Sequence, residues 1–152
     1  DSSTSRGLGD VYKRQIQTAL LMATMSGVEV NLMFPCKPDH PFVYWATLSY
    51  VGELIMAGAN CYTYDNGFLH AKGLSIDGKA CCYGTANMDI RSFELNFEVN
   101  AMIFDQNIAG EMERIFREDL KCCTRITKEM YKSRSVWIRF KEQISRLLSP
   151  VL

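Results

Sequence analysis

Gly67-Phe-Leu-His-Ala-Lys-Gly-Leu-Ser-Ile-Asp-Gly-Lys-Ala-Cys-Cys-Tyr-Gly84 reads as a β-hairpin that carries chemistry on one strand. Asp77-Gly78 lies between two short runs and is a strong two-residue turn signal, because both residues of such a turn must tolerate positive φ. Side chains at i and i+2 of a strand share a face, so His70 and Lys72 project together while small Ala71 points away. Gly84 ends the return strand, and the turn after it, Gly84-Thr-Ala-Asn87, is expected to bring Thr85 and Asn87 back toward His70. An imidazole, an ammonium and a carboxamide gathered in this way are the groups needed to break and remake a phosphodiester without a metal.

Working outward, Phe93, Leu95, Phe97, Val99, Ala101 and Ile103 alternate with Glu94, Asn96, Glu98 and Asn100. This period of two predicts a strand with one core face and one polar face. If that strand pairs near the hairpin, Glu98 looks into the same cleft. Upstream, the pattern predicts a helix near Ile16–Met25, a strand at Val28–Phe34, a loop at Pro35–Pro41, a helix over Phe42–Ala57 and a strand at Cys61–Tyr64. Downstream, Asn107–Cys122 places Ile108, Met112, Ile115, Phe116 and Leu120 on one helical stripe. Thr127 starts a short helix that includes Glu129–Lys132, and an amphipathic helix over Val136–Leu148 stops at Pro150. The fold class is therefore α/β, a mixed β-sheet flanked by helices.

The 152 residues are 47% hydrophobic, enough for one ordinary core and a single domain. Seventeen basic residues balance seventeen acidic ones. Non-specific nucleic-acid binders usually carry a basic surplus, so no nucleic-acid partner is favoured. The six cysteines include the vicinal pairs Cys81-Cys82 and Cys122-Cys123 and no C-x-x-C. That spacing suits reduced thiols in a cytosol-facing domain better than disulfides or zinc. The longest apolar stretch, Phe42–Ala59, contains Ser49, Gly52 and Glu53 and reads as a packed helix rather than a membrane span. Its Tyr44, Trp45 and Tyr50 either pack in the core or line a lipid-facing cleft. No signal peptide is visible.

The H-x-K-x4-D motif of His70, Lys72 and Asp77, followed by Gly84-Thr-Ala-Asn87 and then Glu98, resembles that of the phospholipase D superfamily. Lys37-Pro-Asp-His-Pro-Phe-Val-Tyr-Trp-Ala-Thr47, Gly84-Thr-Ala-Asn-Met-Asp-Ile-Arg-Ser-Phe93, Leu95-Asn-Phe-Glu98 and the ending Ile144-Ser-Arg-Leu-Leu-Ser-Pro-Val-Leu152 are similar to one branch, the bacterial cardiolipin synthases. The resemblance covers most of residues 16–152 and implies a phospholipase D-like domain. In the family, one histidine attacks phosphorus to give a phosphohistidine, and a second, from the other half of the enzyme, protonates the leaving alcohol.

On that resemblance His70, Lys72, Asn87 and Glu98 are the expected catalytic residues. Lys72 and Asn87, with the Thr85 hydroxyl, match the positions that hold the phosphate oxygens. Glu98 matches the carboxylate that orients a histidine. Asp77 belongs to the motif, but Asp-Gly at a hairpin tip is reason enough for its presence, so Asp77 and Gly84 are expected to be structural. The implied reaction joins two phosphatidylglycerol molecules into cardiolipin and releases glycerol, with no cofactor and no metal. The implied partners are anionic phospholipids, phosphatidylglycerol and cardiolipin among them. They also include a membrane surface, and either the missing N-terminal half or a second copy of the chain. The implied location is the bacterial cell membrane, with the catalytic domain facing the cytoplasm.

The motif occurs once, whereas the chemistry needs it twice. Residues 1–15 do not resemble the family and read as adapter-like sequence or a short disordered leader. Residues 16–152 read as the second phospholipase D-like domain of a truncated enzyme, with little activity expected from the chain alone. The alternatives are a single-motif phosphodiesterase or nuclease completed by homodimerisation, and an inert folded fragment. His40, in a loop, is a turn residue or part of the site wall, and no lysine follows it at i+2. Arg91 meets a lipid phosphate or pairs with Asp89 or Glu94. Arg134, Arg139, Lys141 and Arg146 touch anionic headgroups or form a solvated face.

Overall fold

The computed structural model describes residues 15–36, 41–86, 97–135 and 137–138, with the side chains of 41–47 outside that description. The expectations for residues 1–14, His40, Asn87, Arg91, Tyr44, Trp45, Arg139, Lys141 and Arg146 therefore fall outside it. So does most of the Val136–Leu148 helix.

A helix over residues 15–25 (α1) precedes strand β1, Asn31–Pro35. Helix α2, Pro41–Ala57, crosses over to β2, Asn60–Tyr64, which lies parallel to β1 with Leu32 opposite Cys61 and Pro35 opposite Tyr64. Both helices end in the same way. At Gly58, φ is +116°, and Ala59 N–H donates to Leu54 O at 2.9 Å while Gly58 N–H reaches Ile55 O at 3.1 Å. Val28 and Gly27 make the equivalent bonds to Ala23 O and Thr24 O. These paired bonds close the helix on a left-handed residue, a conformation that glycine adopts without a Cβ clash.

The core lies on one face of this first sheet. Cys61 has no exposed surface and Ile55 is 2% exposed, with Phe34, Leu48, Val51, Leu54 and Ala59 around them. Leu48, Val51 and Ile55 recur at helical spacing, so α2 turns one stripe to the sheet. Leu20 and Leu21 of α1, and Val30, Leu32, Ile126 and Tyr131, pack against the same cluster. Burial raises the Cys61 thiol pKa from 9.0 to about 12, because the thiolate loses its hydration there.

The hairpin forms β3, Gly73–Ile76, and β4, Ala80–Gly84. Asp77 and Gly78 have φ of +51° and +60°, as the turn reading requires. Lys79 is an extra residue in the loop: its N–H donates to Ile76 O at 2.9 Å, while Ile76 registers opposite Ala80. Strand β5, Asn100–Ile103, pairs antiparallel with β4 to give a second sheet in the order β3-β4-β5. Cys81, on one face of this sheet, is 1% exposed.

Two expectations need correction here. The Phe93–Ile103 alternation predicts a long strand, but its first four residues lie outside the description and residues 97–99 are not in a strand. Phe97 and Val99 stand in solvent rather than on a core face. The ladder stops because β4 ends at Gly84, opposite Asn100, so residues before Asn100 have no β4 residue to pair with. Helix α3, Gln106–Leu120, touches strands of both sheets. Its fully buried residue is Ala109, and Ile108 and Ile115 of the expected stripe are exposed. Alanine's small side chain allows closer approach than isoleucine's, so the buried face centres on Ala109, Met112 and Phe116.

Asp105 caps α3, its carboxylate accepting from Asn107 N–H and Ile108 N–H at 2.9 Å. After α3, strand β6, Cys123–Ile126, pairs antiparallel with β2, giving the first sheet the order β1-β2-β6. Thr127 caps the short helix α4, Lys128–Lys132, as expected, through Met130 N–H at 3.2 Å. Arg134 lies with its guanidinium 3.3 Å from the Tyr131 ring centroid and donates from Nε to Tyr131 O at 2.7 Å. None of the described helices is long and apolar enough to cross a membrane.

Two outcomes follow from this packing. A Cβ at Gly84 collides with the Val99 carbonyl and with the Cα and side-chain carbonyl of Asn100. Backbone atoms cannot rotate aside, so Gly84→Ala is expected to cost about 1–3 kcal/mol in denaturant unfolding. The Cys61 thiol titrates near 9.0 unfolded and about 12 folded. Its contribution is therefore complete below about pH 9 and lost as pH rises toward 12, at a slope of at most about 1.4 kcal/mol per pH unit. Cys61→Ala, compared with wild type by unfolding at each pH, is expected to flatten the alkaline limb by that amount.

Candidate functional site

The site grows from the C-terminal end of β2. Beyond Tyr64 the chain is tied to the start of β6: Asp65 N–H donates to Cys122 O at 3.0 Å, and Thr124 Oγ1 donates to the Asp65 carboxylate at 2.5 Å. Gly67, at φ +108°, then turns the chain into an irregular stretch, residues 68–72, that leads into β3. The far end of this stretch is fixed by Gly84 N–H donating to Lys72 O at 3.3 Å. Residues 68–72 thus run between two anchored points, one in each sheet.

His70 is exposed on that stretch. Neither His70 nor Lys72 lies in a strand, since β3 begins at Gly73, so the expected strand face does not set their relation; Lys72 Nζ instead donates to the His70 backbone carbonyl at 2.8 Å. The phenyl ring of Phe68 stacks on the imidazole, with centroids 5.5 Å apart and planes inclined by 16°. Sequence reasoning passed over Phe68. No sequence signal marks it, because residues 68–72 are not in a strand and spacing does not fix which side chains meet.

Gly84 leads directly to Thr85. Thr85 N–H donates to Val99 O at 3.0 Å, and Thr85 Oγ1 accepts from Val99 N–H at 3.0 Å. The hydroxyl replaces a backbone carbonyl at the end of the ladder. Because it is used as an acceptor, its own proton remains free to be donated. Val99 in turn places half-buried Glu98 next to this junction. His70, Lys72, Gly84, Thr85 and Val99 therefore form one chain of direct contacts, with Glu98 at its end. Asn87 is outside the described residues, and Asp77 sits at the hairpin tip, on the other end of β3.

The surroundings are not suited to thiol chemistry. All six cysteines are free. Burial, with help from Asp65, Asp119 and Cys122, raises the Cys123 thiol above its ordinary range, and Cys123 Sγ donates to Asp119 O at 3.1 Å. No group of three His, Cys, Asp or Glu able to hold a metal ion occurs among the described residues. Chemically, the arrangement offers an accessible imidazole with a cation and a hydroxyl proton on the same connected stretch. Those groups can attack or protonate at a phosphodiester and draw charge from its non-bridging oxygens.

The chain is similar to known proteins over most of its length. The cardiolipin synthase from Oceanobacillus iheyensis is 55% identical over 137 residues, which is 90% of this chain and 29% of that protein. The major cardiolipin synthase ClsA of Bacillus subtilis is 57% identical over 134 residues, 88% of this chain and 28% of that protein. Cardiolipin synthase 1 of Staphylococcus epidermidis is 56% identical over a similar span. The chain thus spans under a third of the length of these curated relatives. The family described as cardiolipin synthase, phospholipase D-like domain, matches residues 10–120, from before α1 to the end of α3, and the chain belongs to that family.

Proposed function

We propose that the chain supplies one half of the active site of a membrane-bound phosphatidyltransferase that joins two phosphatidylglycerol molecules into cardiolipin. The observation that carries this reading is the identity of 54–57% to proteins named cardiolipin synthase. A match over 88–90% of the chain necessarily runs through residues 70–98.

In the first step a histidine nitrogen attacks the phosphorus of one phosphatidylglycerol. The bond to the headgroup glycerol breaks, a second histidine protonates the departing oxygen, and glycerol leaves. A phosphatidyl-histidine remains. In the second step the deprotonated histidine takes the proton from a headgroup hydroxyl of another phosphatidylglycerol. That oxygen attacks phosphorus, the P–N bond breaks, and cardiolipin is released. Splitting the displacement in two lets each half use a good nucleophile and a good leaving group.

His70 provides one of the two histidines. It acts either as the nucleophile or as the acid and base, and the histidine of the other half takes the remaining role. Lys72 neutralises charge as it builds on the non-bridging oxygens, Asn87 donates to them from its side-chain amide, and the free proton of Thr85 adds a hydrogen bond. Lys72 reaches a phosphate by swinging its flexible stem off the His70 carbonyl. Glu98 orients a histidine, the one from the opposite half. Asp77 holds the hairpin turn and Gly84 the close approach of β4 to β5, and neither takes part in bond making.

The second histidine comes from another phospholipase D-like half or from a second copy of the chain. Residues 16–152 correspond to the second such domain of a full enzyme. The full enzyme works at the cytoplasmic face of the bacterial membrane, where its anionic lipid substrates lie.

A hybrid tests this reading. The chain replaces the matching segment of the Bacillus subtilis enzyme, and the product is incubated with phosphatidylglycerol vesicles while cardiolipin and glycerol are measured. The wild-type hybrid is expected to release both in equal amounts. His70→Ala is expected to lose at least about 10²–10⁴-fold in rate, the range for removal of a general acid. A folded wild-type hybrid that makes no cardiolipin, or a His70→Ala hybrid as fast as wild type, contradicts the reading.

A further inference from the structure

The geometry points to Phe68 as a positioning residue for His70: its phenyl ring, stacked on the imidazole, fixes the ring's rotamer and leaves both ring nitrogens open at the edge. This rests on the reading of His70 given above and adds a residue to it.

A histidine on an exposed stretch samples several rotamers. Here the backbone under it is held at both ends, by Asp65 on Cys122 and by Lys72 on Gly84, and the His70 carbonyl receives the Lys72 ammonium. The backbone bonds leave the side chain's torsions free. The nearly parallel stack on Phe68 restricts them, with 16° between the planes and 5.5 Å between centroids. An offset stack engages the flat face of the imidazole. Nδ1 and Nε2 lie on the perimeter, so the contact holds the ring without occupying either atom that must meet phosphorus, a proton or an orienting carboxylate.

Core packing does not account for Phe68. It is 65% exposed, and the core cluster on the first sheet does not include it. A large ring left in water, whose described ring partner is the one exposed histidine of the motif, is placed for that partner. Its effect belongs to orientation, where small misplacements of a reacting group cost rate without weakening substrate binding.

Phe68→Leu removes the ring while keeping the apolar bulk, and Phe68→Tyr keeps the ring. Because the side chain is mostly exposed, neither variant opens a core cavity. The imidazole C–H resonances of His70 in the full chain report the stack through the ring current of Phe68. They are expected to move in Phe68→Leu and to hold in Phe68→Tyr. In the hybrid, Phe68→Leu is expected to lower kcat about three- to tenfold with KM unchanged, the range that an aromatic pair supplies, and Phe68→Tyr to restore it. Unmoved resonances in Phe68→Leu, or a Phe68→Leu hybrid as fast as wild type, overturns the inference. So does a loss that Phe68→Tyr fails to reverse. Failure of the phosphatidyl-transfer reading shows separately, as a wild-type hybrid that makes no cardiolipin; the resonances then decide the stack by themselves.

Discussion

Strand β2 is hydrogen-bonded along both edges, parallel to β1 and antiparallel to β6, and the site hangs from its C-terminal end. A strand paired on both sides cannot shift along its axis without breaking two ladders at once. Its one fully buried residue, Cys61, faces Ile55 and the rest of the core, which fixes the face as well as the register. The position of Asp65 follows from that, and Asp65 is in turn clamped to Cys122 and Thr124 at the start of β6. The reactive stretch is short and irregular, yet both of its ends belong to sheets.

This arrangement divides stability from chemistry. The buried residues lie mainly under α2 and along β2, whereas His70 is exposed. In open water a histidine and a lysine gain little from electrostatics, since the dielectric of the solvent screens them. Enclosure in a low-dielectric surrounding would strengthen both groups. Thr85 shows how closely fold and site are joined. Its Oγ1 ends the β4–β5 ladder by accepting from Val99 N–H, and that bond leaves the hydroxyl proton free to be donated.

Much of this was legible in the sequence because local chemistry dictated it. Asp77-Gly78 marks the turn and Thr127 marks a cap; each acts within a few residues of itself. The errors arose where a partner decided the outcome. The alternation at 93–103 describes faces but not the length of the neighbouring strand, and β4 stops opposite Asn100. The α3 stripe gave the helical period correctly, while the close approach at Ala109 selected a face that leaves Ile108 and Ile115 outside. The turn pair was right, but Lys79 made the loop one residue longer than the pattern implied. For the site, the bond from Gly84 N–H to Lys72 O continues the hairpin pairing, whereas residues 68–72 are irregular and strand alternation does not give their contacts. The stack of Phe68 on His70 depends on the side-chain torsions of both residues, which a motif does not specify.

The central claim is that His70 and its neighbours are half of a site. Turnover by the isolated chain, set against turnover by the same chain mixed with the remaining segment of a relative, tests this most directly. With phosphatidylglycerol as substrate, the chain alone as a monomer is predicted to form no cardiolipin above background, and the mixture to form it in proportion to the complex present. Sustained turnover by the chain alone, as a monomer and at the rate of the mixture, would contradict the account.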